Sequence, residues 1–247
     1  MSKIHYFITT FARDNLKLTI TDEKVTHQAF NVLKLQKGEH LNIGDGKNIR
    51  YETEILEINK KQIICRIIHE SLATQSLPEI IIALATIKKE AFEYALEKMT
   101  EVGVSGILPL TSDKVIKKGI NIERCQTIVR EASEQSGRLV VPYLLPEMDL
   151  QKAFEYFIKK IESGEAIQLV FCDMPGHDSP SKVEVKKLII DNPIATVFFI
   201  GPEGGWSDRE KLSAELLGIP KYSLGNNVLR AETAAIVTAY LAVNKKL

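Results

Sequence analysis

Hydrophobic residues in the first part of the chain fall into short runs that are typical of β-strands. The runs are residues 6–8, 41–43, 51–58 and 63–68, and the turn residues Gly44, Asp45 and Gly46 follow the second of them. The sequence therefore predicts a small β-barrel or β-sheet over this part of the chain.

One helix is expected to interrupt these strands. Thr21 or Asp22 can cap its N-terminus. The apolar residues that follow recur at helical spacing, and they are Val25, Ala29, Val32 and Leu33. Small and polar residues then fill positions 70–78, where we place a domain boundary. The first domain is expected to cover residues 1–72 and the second residues 73–247.

Apolar runs and amphipathic helices alternate in the second domain. The runs are residues 80–87, 107–110, 167–172 and 196–200, and the predicted helices are residues 90–102, 122–137, 150–161 and 183–190. Short continuous apolar runs between helices are typical of a parallel sheet that is buried on both faces, so the predicted class is α/β. Ligands of such sheets bind beyond the carboxyl ends of the strands, which directs attention to the loop after Ile200.

That loop is rich in glycine. Gly201, Gly204 and Gly205 allow positive φ angles and a close approach of a ligand to the backbone, and Pro202 stiffens the turn. Ser207 and Glu210 form a possible capping box for the next helix. The loop lacks the G-x-G-x-x-G pattern and the P-loop lysine, which disfavours phosphate binding. Without further evidence it is equally a tight turn between a strand and a helix.

A second stretch of interest begins with a short strand and turn at residues 222–225. It continues through Leu229 and Arg230 into a helix that contains Ala231, Ala234, Ala235 and Ala239. Small residues let another backbone or a flat ring approach closely. Taken alone, such a helix is more often simply packed in a core.

Composition narrows the classes of partner. Of the 247 residues, 45% are hydrophobic, and 32 basic residues balance 32 acidic ones, so any contact with nucleic acid must come from local patches. The cysteines Cys65, Cys125 and Cys172 lie far apart without metal-ligand spacing, which indicates free thiols and no metal. The first residues lack the features of a signal peptide, and no apolar run has membrane-spanning length. We expect a cytoplasmic protein without a membrane partner.

Together, the two C-terminal stretches resemble those of the RsmE family, the uridine-N3 methyltransferases of 16S ribosomal RNA within the SPOUT superfamily. The resemblance extends through residues 27–38, 45–46, 96–104 and 124–138. It implies a C-terminal trefoil-knotted SPOUT methyltransferase domain of α/β class and an N-terminal PUA-like β-barrel domain. It also implies a homodimer formed through the knot helices.

The resemblance implies S-adenosylmethionine as the cofactor, bound in the knot by backbone groups and by carboxylates near its sulfonium. Glu203 and Glu232 are the available carboxylates, although either can instead cap a helix. The implied cofactor-binding residues are Cys172, Gly201, Pro202, Glu203, Gly204, Gly205, Leu224, Gly225, Leu229, Glu232, Thr233 and Ala234.

The acceptor atom is expected to be N3 of a uracil, which becomes nucleophilic as its proton leaves. Arg138, Gln135 and Arg230 are the expected catalytic residues, because donors beside O2 and O4 would stabilise the negative charge that develops there. His177 is interpreted as a solvated loop residue, which leaves a carboxylate or water to accept the proton.

Several basic residues are expected to contact RNA, although a solvated surface is the usual place for a single lysine or arginine. The family commonly has an arginine, or at one position a basic residue, where this chain has His5, Lys34, Ala91, Asp113 and Asn227. Lysine keeps the charge of arginine but not its two-pronged geometry, so recognition of the substrate need not follow the family exactly. The expected RNA-binding residues are Lys34, Arg50, Lys88, Lys114, Arg124 and Ser136.

These inferences predict methyl transfer to N3 of a uridine in small-subunit ribosomal RNA, at the decoding site. Two alternatives stay open at this point. One is a SPOUT methyltransferase that acts on another RNA position, and the other is a non-catalytic RNA-binding factor of ribosome assembly.

Overall fold

The computed structural model describes residues 5–72, 78–115, 119–138, 140–174 and 192–245. Contacts divide the chain into two compact units. The first comprises Met1–Gln75 and Arg130–Val141, and the second comprises Ser76–Val129 and Pro142–Leu247. The predicted helix at residues 183–190 and the loop at His177 lie outside the described residues.

The first unit is built on a six-stranded sheet in the order β1-β4-β5-β6-β3-β2. β1 pairs with β4 in parallel, and the other neighbours are antiparallel. Its core includes Phe7, Leu18, Ile43, Ile55 and Ile63, all of them buried. The strands are β1 (His5–Ile8), β2 (Ala12–Asp14), β3 (Lys17–Ile20), β4 (His40–Gly44), β5 (Ile49–Ile58) and β6 (Ile63–Leu72).

The helix of this unit begins as an α-helix and continues as a π-helical turn. The side chain of Asp22 caps α1 (Glu23–His27) by accepting from the backbone N–H groups of Lys24 and Val25 at 3.0 and 3.1 Å. A π-helical turn (Gln28–Val32) follows, in which the N–H of Leu33 bonds the carbonyl of Gln28 at 2.9 Å. The wider turn rotates the apolar face, so Val32 is exposed although its spacing predicted burial.

The C-terminal half of helix α3 (Ile122–Ser136) belongs to the first unit. Backbone N–H of Ile8 donates to Oε1 of Glu134 at 2.7 Å, and the Arg130 guanidinium donates to the carbonyl of Ile8. Gly137, with φ +71°, lies against the ring of Tyr6, 3.3 Å from where a β-carbon would stand. These contacts involve residues 130–138 and do not bear on the boundary expected near residue 72, which stays a prediction.

The second unit contains seven strands, all paired in parallel, in the order β10-β8-β7-β12-β11-β13, with β9 beside β8. The predicted parallel sheet is thereby confirmed. The strands are β7 (Glu79–Ala85), β8 (Gly106–Thr111), β9 (Tyr143–Leu144), β10 (Met148–Asp149), β11 (Ile167–Cys172), β12 (Ala195–Ile200) and β13 (Lys221–Tyr222).

Amphipathic helices cover this sheet. α4 places Phe154 against Phe199 of β12, with ring centroids 4.9 Å apart. β11 and β12 are buried along their whole lengths, as a sheet covered on both faces requires. The trefoil knot itself stays a prediction. The helices are α2 (Lys89–Val102), α3 (Ile122–Ser136), α4 (Leu150–Glu162), α5 (Asp208–Leu216) and α6 (Ala231–Val243).

Candidate functional site

A cleft of about 260 Å³ lies at the carboxyl edge of the parallel sheet. Strands β11, β12 and β13 all end there, and the start of α6 closes the cleft. Ten of the twelve predicted cofactor-binding residues line it, and they are Cys172, Gly201, Pro202, Glu203, Gly204, Gly205, Leu224, Gly225, Leu229 and Ala234. Further lining residues include Asp173, Trp206 and Tyr222.

Trp206 holds the glycine loop in shape. Its ring is buried, stacks on Phe171 at a centroid distance of 4.8 Å, and donates from Nε1 to the carbonyl of Cys172 at 2.9 Å. A β-carbon on Gly201 would stand 2.9 Å from this ring. Gly205 has φ +65°, and its N–H closes a turn on the carbonyl of Pro202 at 2.8 Å. The loop therefore presents backbone to the cleft.

The loop after β8 supports the glycine loop from the other side. Nζ of Lys114 donates to the carbonyls of Gly204 and Trp206 at 3.0 and 3.1 Å. Asp113 accepts from the Ser207 hydroxyl at 2.6 Å and from Arg209 Nη2 at 2.6 Å. The hydrogen bonds from Arg209 and Ser207 lower the pKa of Asp113 below its ordinary value. The sequence assigned no such role to Asp113, because its partners are distant in the chain.

The predicted capping box at the start of α5 is confirmed, and its glutamate also bonds the loop after β8. Ser207 and Glu210 bond each other reciprocally through their side chains and backbone N–H groups. The other carboxylate oxygen of the buried Glu210 accepts from the backbone N–H of Asp113 at 3.1 Å. The same carboxylate thus ties the β8 loop to the end of the glycine loop.

The wall formed by β11 carries one paired charge and one neutral thiol. Asp173 accepts from Lys211 Nζ at 3.0 Å, so its charge is balanced. Burial raises the pKa of the Cys172 thiol to about 12, which keeps it protonated and unreactive. Glu203 forms no ion pair with any residue that the structure describes.

Glu232 and Thr233 do not line this cleft, contrary to the sequence prediction that grouped them with the other ten. They lie in a neighbouring cavity of about 760 Å³, because the first turn of α6 directs them away from the glycine loop. Glu203 belongs to both cavities. The remaining residues of the second cavity are Lys88, Glu90, Ala91, Tyr94 and Arg230.

Of the predicted catalytic residues, Arg230 lies in the second unit at that cavity, whereas Gln135 and Arg138 belong to the first unit. Burial lowers the pKa of Arg138 to about 10. Gln135 is exposed, and the hydroxyl of Ser136 donates to the carbonyl of Ala132 at 2.7 Å within α3.

The predicted RNA-binding residues differ in their exposure and in whether they already have partners within the protein. Lys34 and Lys88 are exposed. Arg50 bonds Asn42 and Glu52 at 3.1 Å and lies over the ring of Tyr6, and Arg124 pairs with Glu93 at 3.3 Å. Lys114 is already engaged by backbone carbonyls, as described above.

Within the described ranges, no three His, Cys, Asp or Glu side chains come together in a way that would hold a metal ion. None of the helices described is both long enough and apolar enough to cross a membrane.

Two family models match the chain. Residues 74–243 match the model described as an RNA methyltransferase domain, and residues 20–68 match the model described as an RNA methyltransferase PUA domain. The two matches fall on the parallel α/β sheet and on the six-stranded sheet.

Curated relatives agree with these models. The ribosomal RNA small subunit methyltransferase E of Mesomycoplasma hyopneumoniae is 34% identical over 72% of this chain and 74% of its own length. The protein of that name from Synechocystis is 30% identical over 89% of this chain and 70% of its own length.

Solved structures share the fold. A ribosomal RNA small subunit methyltransferase E from Neisseria gonorrhoeae, bound to S-adenosylmethionine, superposes with a TM-score of 0.82 at 24% identity, covering 99% of this chain and 98% of that one. A methyltransferase from Legionella pneumophila, also with bound S-adenosylmethionine, gives 0.76 at 28% identity over 97% of each chain.

Proposed function

We propose that this chain methylates N3 of a uridine at the decoding site of small-subunit ribosomal RNA. The chain belongs to the ribosomal RNA small subunit methyltransferase E family. Its membership makes it an S-adenosylmethionine-dependent RNA methyltransferase. The observation that carries the proposal is the cleft at the carboxyl edge of the sheet, where backbone from three separate segments converges.

The residues of the cleft fit S-adenosylmethionine. Gly201, Gly204 and Gly205 line the cleft without side chains, so a flat adenine ring can lie directly against their backbone, although the N–H of Gly205 and the carbonyl of Gly204 already have internal partners. The carboxylate of Glu203, without an ion pair among the described residues, can face a positive charge. When bound, the cofactor supplies an electrophilic methyl group on a cationic sulfur. The ten predicted residues that line the cleft would hold it, with Asp173, Trp206 and Tyr222 beside them.

The acceptor uracil needs hydrogen-bond donors at O2 and O4 as N3 loses its proton. Arg138, Gln135 and Arg230 would provide them, since guanidinium and amide groups stabilise a developing oxyanion. A cationic Arg138 also keeps its charge at neutral pH, because even its lowered pKa is about 10.

RNA would be held by local basic residues, because the chain as a whole has no net charge. Lys34 and Lys88 are the exposed candidates, and Arg50, Arg124 and Ser136 would first have to exchange their internal partners. We extend the proposal to a homodimer that assembles through the knot helices in the cytoplasm.

Substitution of Arg138 tests the catalytic part of this proposal. Arg138→Ala should lower the single-turnover rate of methyl transfer by at least ~100-fold, because a donor to the developing charge is lost. Its affinity for S-adenosylmethionine, measured by calorimetry, should stay within a few-fold of wild type. Arg66→Ala, which removes an exposed arginine of the first unit, is the matched control and should change neither quantity.

Two outcomes would count against the proposal. Loss of cofactor binding in Arg138→Ala would place that residue in the cofactor site instead. Absence of measurable S-adenosylmethionine binding by the wild-type protein would favour a non-catalytic RNA-binding factor.

A further inference from the structure

Glu232 is a buried carboxylate without a partner for one of its oxygens. Its side chain is 13% exposed, and Oε2 has no hydrogen-bond partner among the described residues. The other oxygen lies 3.9 Å from Nη1 of Arg230, whose side chain is 82% exposed. An ion pair with so exposed a partner stabilises a fold little, whereas an unsatisfied buried carboxylate destabilises it. Within the described part of the chain, Glu232 makes no capping hydrogen bond to α6, so its contribution to folding is the favourable charge of a carboxylate in the first helical turn, which leaves Oε2 without a partner.

The cavity that Glu232 lines has the size and the chemistry for a planar polar ring. Its volume of about 760 Å³ is within the usual range for a small-molecule site. Lys88 and Arg230 contribute hydrogen-bond donors, and Tyr94 contributes an aromatic ring that is 51% exposed. Aromatic rings of this kind form stacking surfaces for unpaired bases.

The position of the cavity connects it to methyl transfer. Glu203 lines both this cavity and the cleft in which the cofactor would bind. Leu229 and Ala231 lie in the cleft, and Arg230 and Glu232 alternate with them in the cavity. A base held in the cavity would therefore lie next to a ligand held in the cleft, with a single short segment between them.

We infer that Glu232 accepts the N3 proton of the target uracil, and that the cavity between α2 and the start of α6 holds that base. This inference rests on the proposed function. The N3–H proton passes to the carboxylate of Glu232, the electron pair of that N–H bond forms the new bond to the methyl carbon, and the pair of the carbon–sulfur bond remains on sulfur. The carboxylic acid then releases its proton to water.

Lys88 and Arg230 complete the arrangement. Arg230 can bond a carbonyl oxygen of the ring, as proposed above, and Lys88 adds a second positive charge in the same cavity that stabilises the negative charge as it develops. Glu90 also lines the cavity, so it cannot serve as a control. Glu162, an exposed glutamate at the end of α4, lies in neither cavity and is the matched control.

The test compares Glu232→Gln with Glu162→Gln in the full-length protein. Glu232→Gln should lower the single-turnover rate of methyl transfer to small-subunit ribosomal RNA by at least ~100-fold, because the amide cannot accept the proton. Calorimetry should give an affinity for S-adenosylmethionine within threefold, roughly the scatter expected where no contact is lost. Glu162→Gln should keep the wild-type rate.

Two further readouts separate catalysis from a structural role. The melting temperature of Glu232→Gln should stay close to that of wild type, since the easier burial of a neutral amide offsets the loss of a negative charge at the start of α6. Its residual rate should rise about tenfold per pH unit above neutrality, because only uracil that has already lost its N3 proton to solvent would react. Glu232→Asp should restore part of the rate.

Any of the following results would overturn the inference. A Glu232→Gln rate equal to that of Glu162→Gln would show that Glu232 is not the proton acceptor. Loss of S-adenosylmethionine binding, or a lower melting temperature in both Glu232 variants, would assign the residue to the cofactor site or to the fold. If the wild-type protein itself methylates no uridine N3, the proposed function fails, and that result is distinct from all of these.

Discussion

At the scale of single residues, the shape of the proposed cofactor cleft depends on the absence of a side chain at Gly201. Gly201 lies directly against the buried ring of Trp206, which is fixed by stacking on Phe171 and by its hydrogen bond to Cys172. The ring cannot move aside without losing both contacts. Gly204 is different, because a β-carbon there would meet only the flexible side chain of Lys114, at 3.5 Å.

This difference predicts unequal effects of the same substitution. Gly201→Ala should lower the free energy of unfolding by about 1–3 kcal/mol, the usual cost of forcing an extra carbon into a packed region. Gly204→Ala should change it by less than about 0.5 kcal/mol. Urea denaturation of the two variants at neutral pH measures both values. Equal destabilisation would show that Trp206 does not constrain the loop.

The sequence located the residues of the cleft but not all of their neighbours. The glycines and Leu224 to Leu229 follow strand ends, and strand ends of a parallel sheet share one edge, so their meeting could be predicted. Glu232 lines the neighbouring cavity instead, because the direction of a side chain in the first turn of α6 depends on how that helix is set against the sheet. Sequence spacing carries no information on that angle.

At the scale of elements, the β8 loop and the start of α5 hold the glycine loop together. Lys114 bonds two carbonyls of that loop, and Asp113 bonds two side chains that follow it. Lys114 therefore has a positioning role in addition to the contact with RNA that the sequence predicted for it.

Substitution of Lys114 distinguishes these two roles. Lys114→Ala should weaken S-adenosylmethionine binding several-fold, because the glycine loop loses two charge-assisted hydrogen bonds. A role in phosphate binding would instead lower the slope of RNA affinity against salt concentration by about 1 and leave cofactor affinity unchanged. Calorimetry and RNA titrations at several salt concentrations measure both. Lys88→Ala, at an exposed lysine, is the comparison for the second effect.

The contacts of Asp113 predict a pH dependence of stability. Its pKa is lowered in the folded state, so its contribution is complete above the ordinary value of about 3.9 and is lost as pH falls through the lower folded value. Asp113→Asn should therefore reduce the free energy of unfolding at neutral pH by at most about 1 kcal/mol, since the pair is partly exposed. The difference from wild type should shrink below about pH 4. A difference that is constant with pH would contradict the ion pair.

Elements with a strong pattern were predicted almost to the residue, and weak ones were missed. The amphipathic helices α2, α3 and α4 and the buried strands β11 and β12 follow directly from periodicity. The hairpin of β2 and β3 escaped prediction because β2 is polar and exposed throughout. The two-residue strands β9 and β10 are too short to have a period. The π-helical turn rotated an apolar face that ideal helical spacing had placed inward.

At the scale of the whole molecule, the balanced charge means that RNA recognition depends on the placement of a few cations. The assignment of residues 130–141 to the first unit could not be predicted from the sequence. It depends on Glu134 and Arg130 bonding the backbone of Ile8, more than a hundred residues away. Gln135 and Arg138 thus belong to the first unit by their contacts, although their positions fall within the residues that match the RNA methyltransferase model, and Arg230 belongs to the second unit.

The most direct test of the proposed methyl transfer is mass-spectrometric mapping of small-subunit ribosomal RNA from cells with and without this protein. We predict that one N3-methyluridine, at the decoding site, disappears when the protein is absent and returns when it is supplied again. Persistence of that methyl group in cells that lack the protein, with every other modification also unchanged, would show that this protein does not methylate the uridine.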